Sequence, residues 1–276
     1  MIELGNHNTL KVLRSTSVGL FLGDGEGTEI LLPNKYVPQE YEIDGEMRVF
    51  CYLDNSERPV ATTLEPLVVR NAFAYLKVAE VGPFGAFMDW GLEKHLLVPF
   101  REQPQGFEAG QRYIIHCYLD PESMRLTGSG RVDRFLTQEQ VDYGVNDPVD
   151  LLVQRKTPLG WEAIVDNRHK GLLFDNELFQ KLAVGDRLTG YIKNVREDGK
   201  LDLSLQPLGA KMLEPTAKRI FDRLTQQGGF LPLHDKSSPQ EIQEGLQLSK
   251  KAFKKGVGIL YRERKIEIGE DGIRLL

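Results

Sequence analysis

Val81-Gly82-Pro83-Phe84-Gly85-Ala86-Phe87-Met88-Asp89-Trp90, followed by Leu96-Leu97-Val98-Pro99-Phe100 and a later Arg125, decides the architecture because fainter copies lie on both sides of it. Each copy carries a glycine-broken aromatic strand, a short apolar strand and a glycine opening a final hairpin, the pattern of repeated small β-domains. Gly45 to Asp54, ending Cys51-Tyr52-Leu53-Asp54, echoes Gly110 to Asp120, ending Cys117-Tyr118-Leu119-Asp120. A more distant copy begins at Gly185-Asp186-Arg187-Leu188. The period, roughly 65 to 75 residues, is that of a domain and not of a solenoid repeat.

A chain of 276 residues exceeds what one core of such short strands fills, and it suits four small domains. The expected spans are 1–66, 67–140, 141–208 and 209–276. With 41% hydrophobic and 27% charged residues, no bilayer-length apolar run and no basic-then-apolar leader, the sequence points to the cytoplasm and away from a membrane. Cys51 and Cys117 fall at matching places in separate repeats, so they read as unpaired core residues, and two thiols alone make no zinc site.

In the first repeat Leu10–Arg14, Gly19–Leu22 and Glu29–Leu32 read as strands. The glycine run Gly23–Gly27 reads as a hairpin turn, since a phosphate loop requires a following helix and a strand comes instead. Five strands with a longer connection after the third fit an OB-type barrel. An SH3-like barrel has similar spacing, but aromatics on the second strand favour the OB fold, whose second and third strands form the ligand face. Phe and Trp on strands are more often core than platform. Gly82, Pro83 and Gly85 disturb the alternation, however, so a bulge could place Phe84 and Phe87 on one face.

From about residue 209 the balance changes: basic residues exceed acidic ones by about four there, against an acidic excess of about nine before it. Met212 to Gln227 has helical spacing, Phe230–Leu233 reads as a strand, and Ser238-Pro239-Gln240-Glu241 is a capping box with proline at the first helical position. Ser249 caps another helix, with Phe253, Val257 and Leu260 inward and Lys250, Lys251, Lys254 and Lys255 outward. A hairpin around Gly269-Glu270-Asp271 closes the order of a winged helix. The expected fold is mainly β: three tandem OB-type five-stranded barrels followed by an α+β winged-helix domain.

The middle repeat resembles the RNA-binding domain named for ribosomal protein S1. That resemblance implies base stacking on Phe84 and Phe87, a basic partner in Arg125 with Asp120 beside it, and Val98 where the family often has histidine. In the third repeat it places Trp161 at Phe84, Ile164 at Phe87, Phe174 at the histidine position and Lys200 at Arg125. In the first, Val18 and Phe21 match the aromatics and Pro59 stands at the basic position, so weak or no binding is expected there. The whole chain resembles the bacterial conserved virulence factor B family, most recognisably at Gly228-Gly229-Phe230 and Asp235-Lys236-Ser237-Ser238-Pro239. The family implies a cytosolic, non-catalytic RNA-binding protein that acts post-transcriptionally.

No nucleophile elbow, His-Glu-x-x-His or Walker loop is present, so neither catalysis, cofactor, metal nor small-molecule substrate is expected. His95 and His169 read as surface residues, and Asp89 and Asp166 as matched structural positions. Two functions follow. One is a single-stranded RNA binder in which the second and third barrels stack bases while Lys250, Lys251, Lys254 and Lys255 hold phosphates. The other is a scaffold that docks the ribosome or RNA polymerase.

Overall fold

Alternating apolar residues bounded by glycine give each repeat five short strands. In a computed structural model, which describes residues 1–137, 142–208, 215–234, 236–269 and 271–276, the chain divides into two units, Met1–Leu208 and Gly209–Leu276. The first repeat contributes β1 (His7–Thr16), β2 (Gly19–Gly23), β3 (Glu29–Pro33), β4 (Glu46–Leu53) and β5 (Pro59–Thr62). They close in the order β1-β2-β3-β5-β4, with β3 and β5 parallel. The second has β6 (Ala72–Gly82), β7 (Gly85–Asp89), β8 (Leu96–Pro99), β9 (Arg112–Leu119) and β10 (Leu126–Ser129) in a five-stranded sheet ordered β10-β9-β6-β7-β8. The third, β11 (Pro148–Thr157), β12 (Gly160–Val165), β13 (His169–Phe174), β14 (Arg187–Val195) and β15 (Leu201–Ser204), closes like the first.

One glycine fixes the register of all three. Gly19, Gly85 and Gly160 open β2, β7 and β12, and a Cβ there would lie 2.1, 2.2 and 2.0 Å from the carbonyl oxygens of Leu32, Val98 and Leu173. Only glycine lets the backbones approach so closely. The register makes Phe84 equivalent to Val18 and Leu159, and Phe87 to Phe21 and Glu162. A bulge recurs too, but on the first strand of each barrel, between Val12 and Arg14, Val78 and Glu80, and Val153 and Arg155.

Strand alternation also builds the junctions between barrels. On β4, Val49 and Cys51 point into the first barrel while Phe50 and Tyr52 point out and join the second barrel's core around Trp90. The rings of Phe50 and Trp90 meet edge to face at 5.8 Å. Between the second and third barrels, Phe73, Ile114, Val132, Leu152 and Ile164 form a further buried cluster. Asn167 accepts from the Phe73 N–H at 3.0 Å, and the Arg187 guanidinium donates to the Phe73 carbonyl. His116 is stacked on Phe135 in this junction at 4.0 Å, and burial pushes its pKa down to about 4. His169 is buried against Tyr143, which overturns its reading as a surface residue, whereas His95 is half-buried. Both cysteines are free and buried.

In the second unit α1 (Pro215–Gln226), β16 (Phe230–Leu231), α2 (Pro239–Leu246), α3 (Lys250–Arg262), β17 (Ile266–Ile268) and β18 (Ile273–Leu275) make a winged helix, with strands ordered β16-β18-β17. The capping box is complete: Ser238 Oγ accepts from Glu241 N–H at 3.2 Å and Glu241 Oε2 from Ser238 N–H at 2.6 Å. Ser249 Oγ accepts from the Ala252 N–H, and Phe253, Val257 and Leu260 are buried. Gly256 lets α3 meet α1 closely, since a Cβ there would lie 2.6 Å from the Ile220 side chain. The expected helical residues Met212 to Glu214, together with Asp235 and Glu270, lie outside the described residues.

Candidate nucleic-acid interface

Phe84 and Phe87 reach the same place by different routes. Gly82 pairs with Gly85, so Pro83 and Phe84 form a two-residue hairpin tip and Phe84 stands 71% exposed. Phe87 projects from β7 opposite its inward neighbours Ala86 and Met88, with its ring across Gly82, where a Cβ would lie 2.9 Å from it. The hairpin tip, not a bulge within the aromatic strand, puts both side chains on one cavity. Both line a cavity of about 510 Å³, along with Asp120 and Arg125 from the β9–β10 connection and Leu97 and Pro99 from β8. Val98 lies wholly inside the barrel and takes no part in this wall.

The β9–β10 connection is held by its own carboxylate. Asp120 Oδ2 accepts from the Ser123 hydroxyl at 2.6 Å and from its N–H at 3.3 Å, which holds the carboxyl below the usual range. The Asp120 N–H donates to the Arg125 carbonyl at 2.8 Å, presenting the guanidinium at the cavity rim. The same bond joins Asp54 to Arg58 at 2.9 Å and Arg196 to Lys200 at 2.9 Å. Arg58, not Pro59, is therefore the first barrel's equivalent of Arg125; the middle turn is one residue longer, which displaces a linear comparison by one position.

The first barrel supplies the far wall. Tyr52, Leu53, Asn55 and Glu57 line the cavity, and Glu57 forms an ion pair with Arg125. Lys94 Nζ donates to the Asp54 carbonyl at 2.7 Å, and burial lowers the lysine pKa. Glu57, Lys94 and Arg101 were not anticipated. Lys94 and Arg101 follow β7 and β8, the strands expected to form the ligand face, and that position was the signal available for them.

The third barrel differs from expectation. Trp161 pairs with Leu173 as Ala86 pairs with Val98, so it occupies an inward position and packs partly on its own barrel's core under Lys156 Nζ, 5.1 Å from the ring centroid. It is not the counterpart of Phe84; Leu159, 66% exposed, is. Ile164 is buried in the junction, and Glu162, tied to Arg155 at 2.6 Å, stands where Phe87 does. Asp89 likewise corresponds to Ile164 and not to Asp166. Phe174 pairs with Gly160 as Pro99 does with Gly85, which puts it at the outward place next to the expected one. Lys193 Nζ and the Arg196 guanidinium approach its ring at 5.6 and 6.0 Å, and exposed Lys200 pairs with Asp198 at 2.7 Å.

In the winged helix Lys251, Lys254 and Lys255 are exposed and Lys250 is half-buried. Lys250 and Lys251 sit in the first turn of α3, which has no acidic residue and whose dipole disfavours cations. That arrangement concentrates positive charge at one helix end. Among the described residues no helix is long and apolar enough to cross a membrane, and no group of three or more His, Cys, Asp or Glu could hold a metal.

Residues 4–64 match the S1 domain family, and residues 218–275 match the CvfB-like winged helix domain. The S1 match falls on the first barrel, the one expected to be the most degenerate. A Bacillus subtilis protein, YitL, is 30% identical over 275 residues, covering 95% of this chain and 90% of its own. Conserved virulence factor B of Staphylococcus aureus strain RF122 is 26% identical, covering 91% and 86%. A solved multidomain protein with nucleic acid binding domains from Streptococcus pneumoniae is 25% identical, covering 99% and 98% with a TM-score of 0.42. With a full-length relative at 30% identity and the winged-helix match at its end, the chain belongs to the conserved virulence factor B family.

Proposed function

We propose that this protein binds single-stranded RNA, with the second barrel as the principal site, and acts without catalysis in post-transcriptional regulation. The observation that carries the reading is the convergence of Phe84, Phe87, Asp120 and Arg125 on one cavity, with Phe84 largely exposed. Exposed rings give faces for unpaired bases, and a rim arginine gives a phosphate partner. A duplex keeps its bases stacked on each other and presents no such face. Phe174 with Lys193, Arg196 and Lys200, each of these cations ion-paired to a carboxylate, forms a lesser site on the third barrel. Fluorescence anisotropy with labelled single-stranded RNA, single-stranded DNA and duplex DNA across a salt series tests this reading. Single-stranded RNA is expected to bind tightest, and equal or tighter duplex binding would sink it.

Two further results are expected from the same assay. Glu57→Gln frees Arg125 from its ion pair, so affinity for single-stranded RNA rises about 1.4- to fivefold, the scale of an exposed pair of ~0.2–1 kcal/mol. An unchanged or lower affinity removes Glu57 as a competitor for the arginine. Lys250→Glu with Lys254→Glu weakens all RNA sequences alike and flattens the dependence of log affinity on log salt by about 1.4 for two lost phosphate contacts. Loss confined to one sequence would instead assign base reading to α3.

A further inference from the structure

A second groove, of about 580 Å³, lies where the second and third barrels meet. Arg112, Arg131, Arg134 and Arg155 line it, with Asp133 as the one acidic residue of the wall. The unit that contains it carries an acidic excess of about nine, so four arginines on one groove run against the surrounding charge. Arg155 is partly neutralised by Asp133 at 3.6 Å and by Glu162, and Arg134 by buried Glu102 at 3.2 Å. Among the described residues Arg112 makes only a long contact, 3.5 Å, to the Tyr75 carbonyl, and Arg131 donates from Nε to the Arg101 carbonyl at 2.7 Å, which leaves the rest of its guanidinium at the groove. The wall also holds the parallel stack of Phe107 on Tyr113, centroids 3.8 Å apart, and Gln154, whose Oε1 is buried with no hydrogen-bond partner among the described residues.

The bond between Arg131 and Arg101 links the two depressions, because Arg101 lines the stacking cavity and Arg131 lines the groove. We infer that the groove carries the phosphodiester backbone of the same RNA strand onward from the stacking cavity, with Arg112 and Arg131 as phosphate contacts. This rests on the second barrel being an RNA site. An arginine fork suits phosphate oxygens, which it can meet with two parallel N–H donors. The groove would thus lengthen the bound segment beyond what one barrel face holds.

The test uses the full chain and labelled oligouridylates of about 4 and about 20 nucleotides, lengths that fit one OB-type face or run past it. Arg112→Glu with Arg131→Glu is expected to weaken the long oligomer roughly tenfold or more and to lower its salt slope by about 1.4, while the short one binds as before. The neutral pair Arg112→Gln with Arg131→Gln should show the same slope change, and thermal melting checks that both variants fold. Unchanged long-oligomer binding overturns the inference. So does equal loss for both lengths with the salt slope intact, which would make the arginines supports of the fold. If Phe84→Ala with Phe87→Ala leaves both oligomers bound while the arginine variant loses the long one, the stacking site fails and the groove stands.

Discussion

Phe84→Ala with Phe87→Ala lowers affinity for single-stranded RNA by about thirtyfold or more and leaves the melting temperature nearly unchanged. Stacking of a base on an aromatic ring contributes ~1–3 kcal/mol, so loss of two platforms removes at least ~2 kcal/mol, or about thirtyfold in Kd. Stability is spared because Phe84 is 71% exposed at a hairpin tip and takes no part in the barrel core. Phe87 is half-buried and lies across Gly82, so its removal costs some packing at the surface only. The two aromatics are also expected to act separately, with each single variant losing part of the effect. Anisotropy titrations with the wild type and the three variants measure it, and a Kd within threefold of wild type for the double variant would remove base stacking from the mechanism. Salt dependence should change little, because neither ring contacts phosphate.

The fold was legible because its determinants are local. Period-two alternation, the glycine that opens the second strand of each barrel and the Ser238 capping box each act within a few residues and leave a direct mark on the sequence. The equivalence of sites was less legible, and the reason is geometric. Gly19, Gly85 and Gly160 are distinguished from other glycines only by a carbonyl oxygen that arrives from the neighbouring strand, so without the partner strand Trp161 could be aligned on Phe84. A longer turn between Asp120 and Arg125 similarly hid Arg58 behind Pro59. His169 was misplaced because its burial comes from Tyr143, far away in sequence. The arginine groove was invisible for the same reason: Arg112, Arg131 and Arg155 belong to separate strands and turns that only the junction of two barrels brings together.

The repeated fold therefore does not repeat the side chains of the candidate site. Equivalent places hold Val18 and Phe21, Phe84 and Phe87, and Leu159 and Glu162. In the first barrel the surviving Phe21 lies under the Arg14 guanidinium, 4.3 Å from the ring centroid, while Arg14 itself is held by Glu29. In the third, the outer face of β12 is partly spent on the junction through Ile164. Neighbouring barrels have thus turned surface that a lone domain would present to a ligand into contacts with one another. The middle barrel keeps its aromatic pair because the junctions bury other residues: β4 of the first barrel packs on Trp90, just past the end of β7, and β11 and β12 of the third meet the outward side chains of β6 and β9.

That division of labour makes Phe50 the residue on which the first junction depends most. It is wholly buried, yet its own barrel does not need it, since Val49 and Cys51 fill that core from the opposite face of β4. Phe50→Ala empties space beside Trp90 and Tyr52, and truncation of a buried phenylalanine typically costs about 3–5 kcal/mol. Urea denaturation followed by tryptophan fluorescence reports it well, because both tryptophans lie within Met1–Leu208 and Trp90 is at the junction itself. The expected result is a midpoint shifted to lower urea and a separate early phase as the first barrel parts from the second. RNA binding should respond as well: the first barrel's wall of Leu53, Asn55 and Glu57 loosens, so Arg125 loses its intramolecular partner. A loss below about 1 kcal/mol, the range of ordinary surface substitutions, would show that the barrels are joined by something other than this shared core.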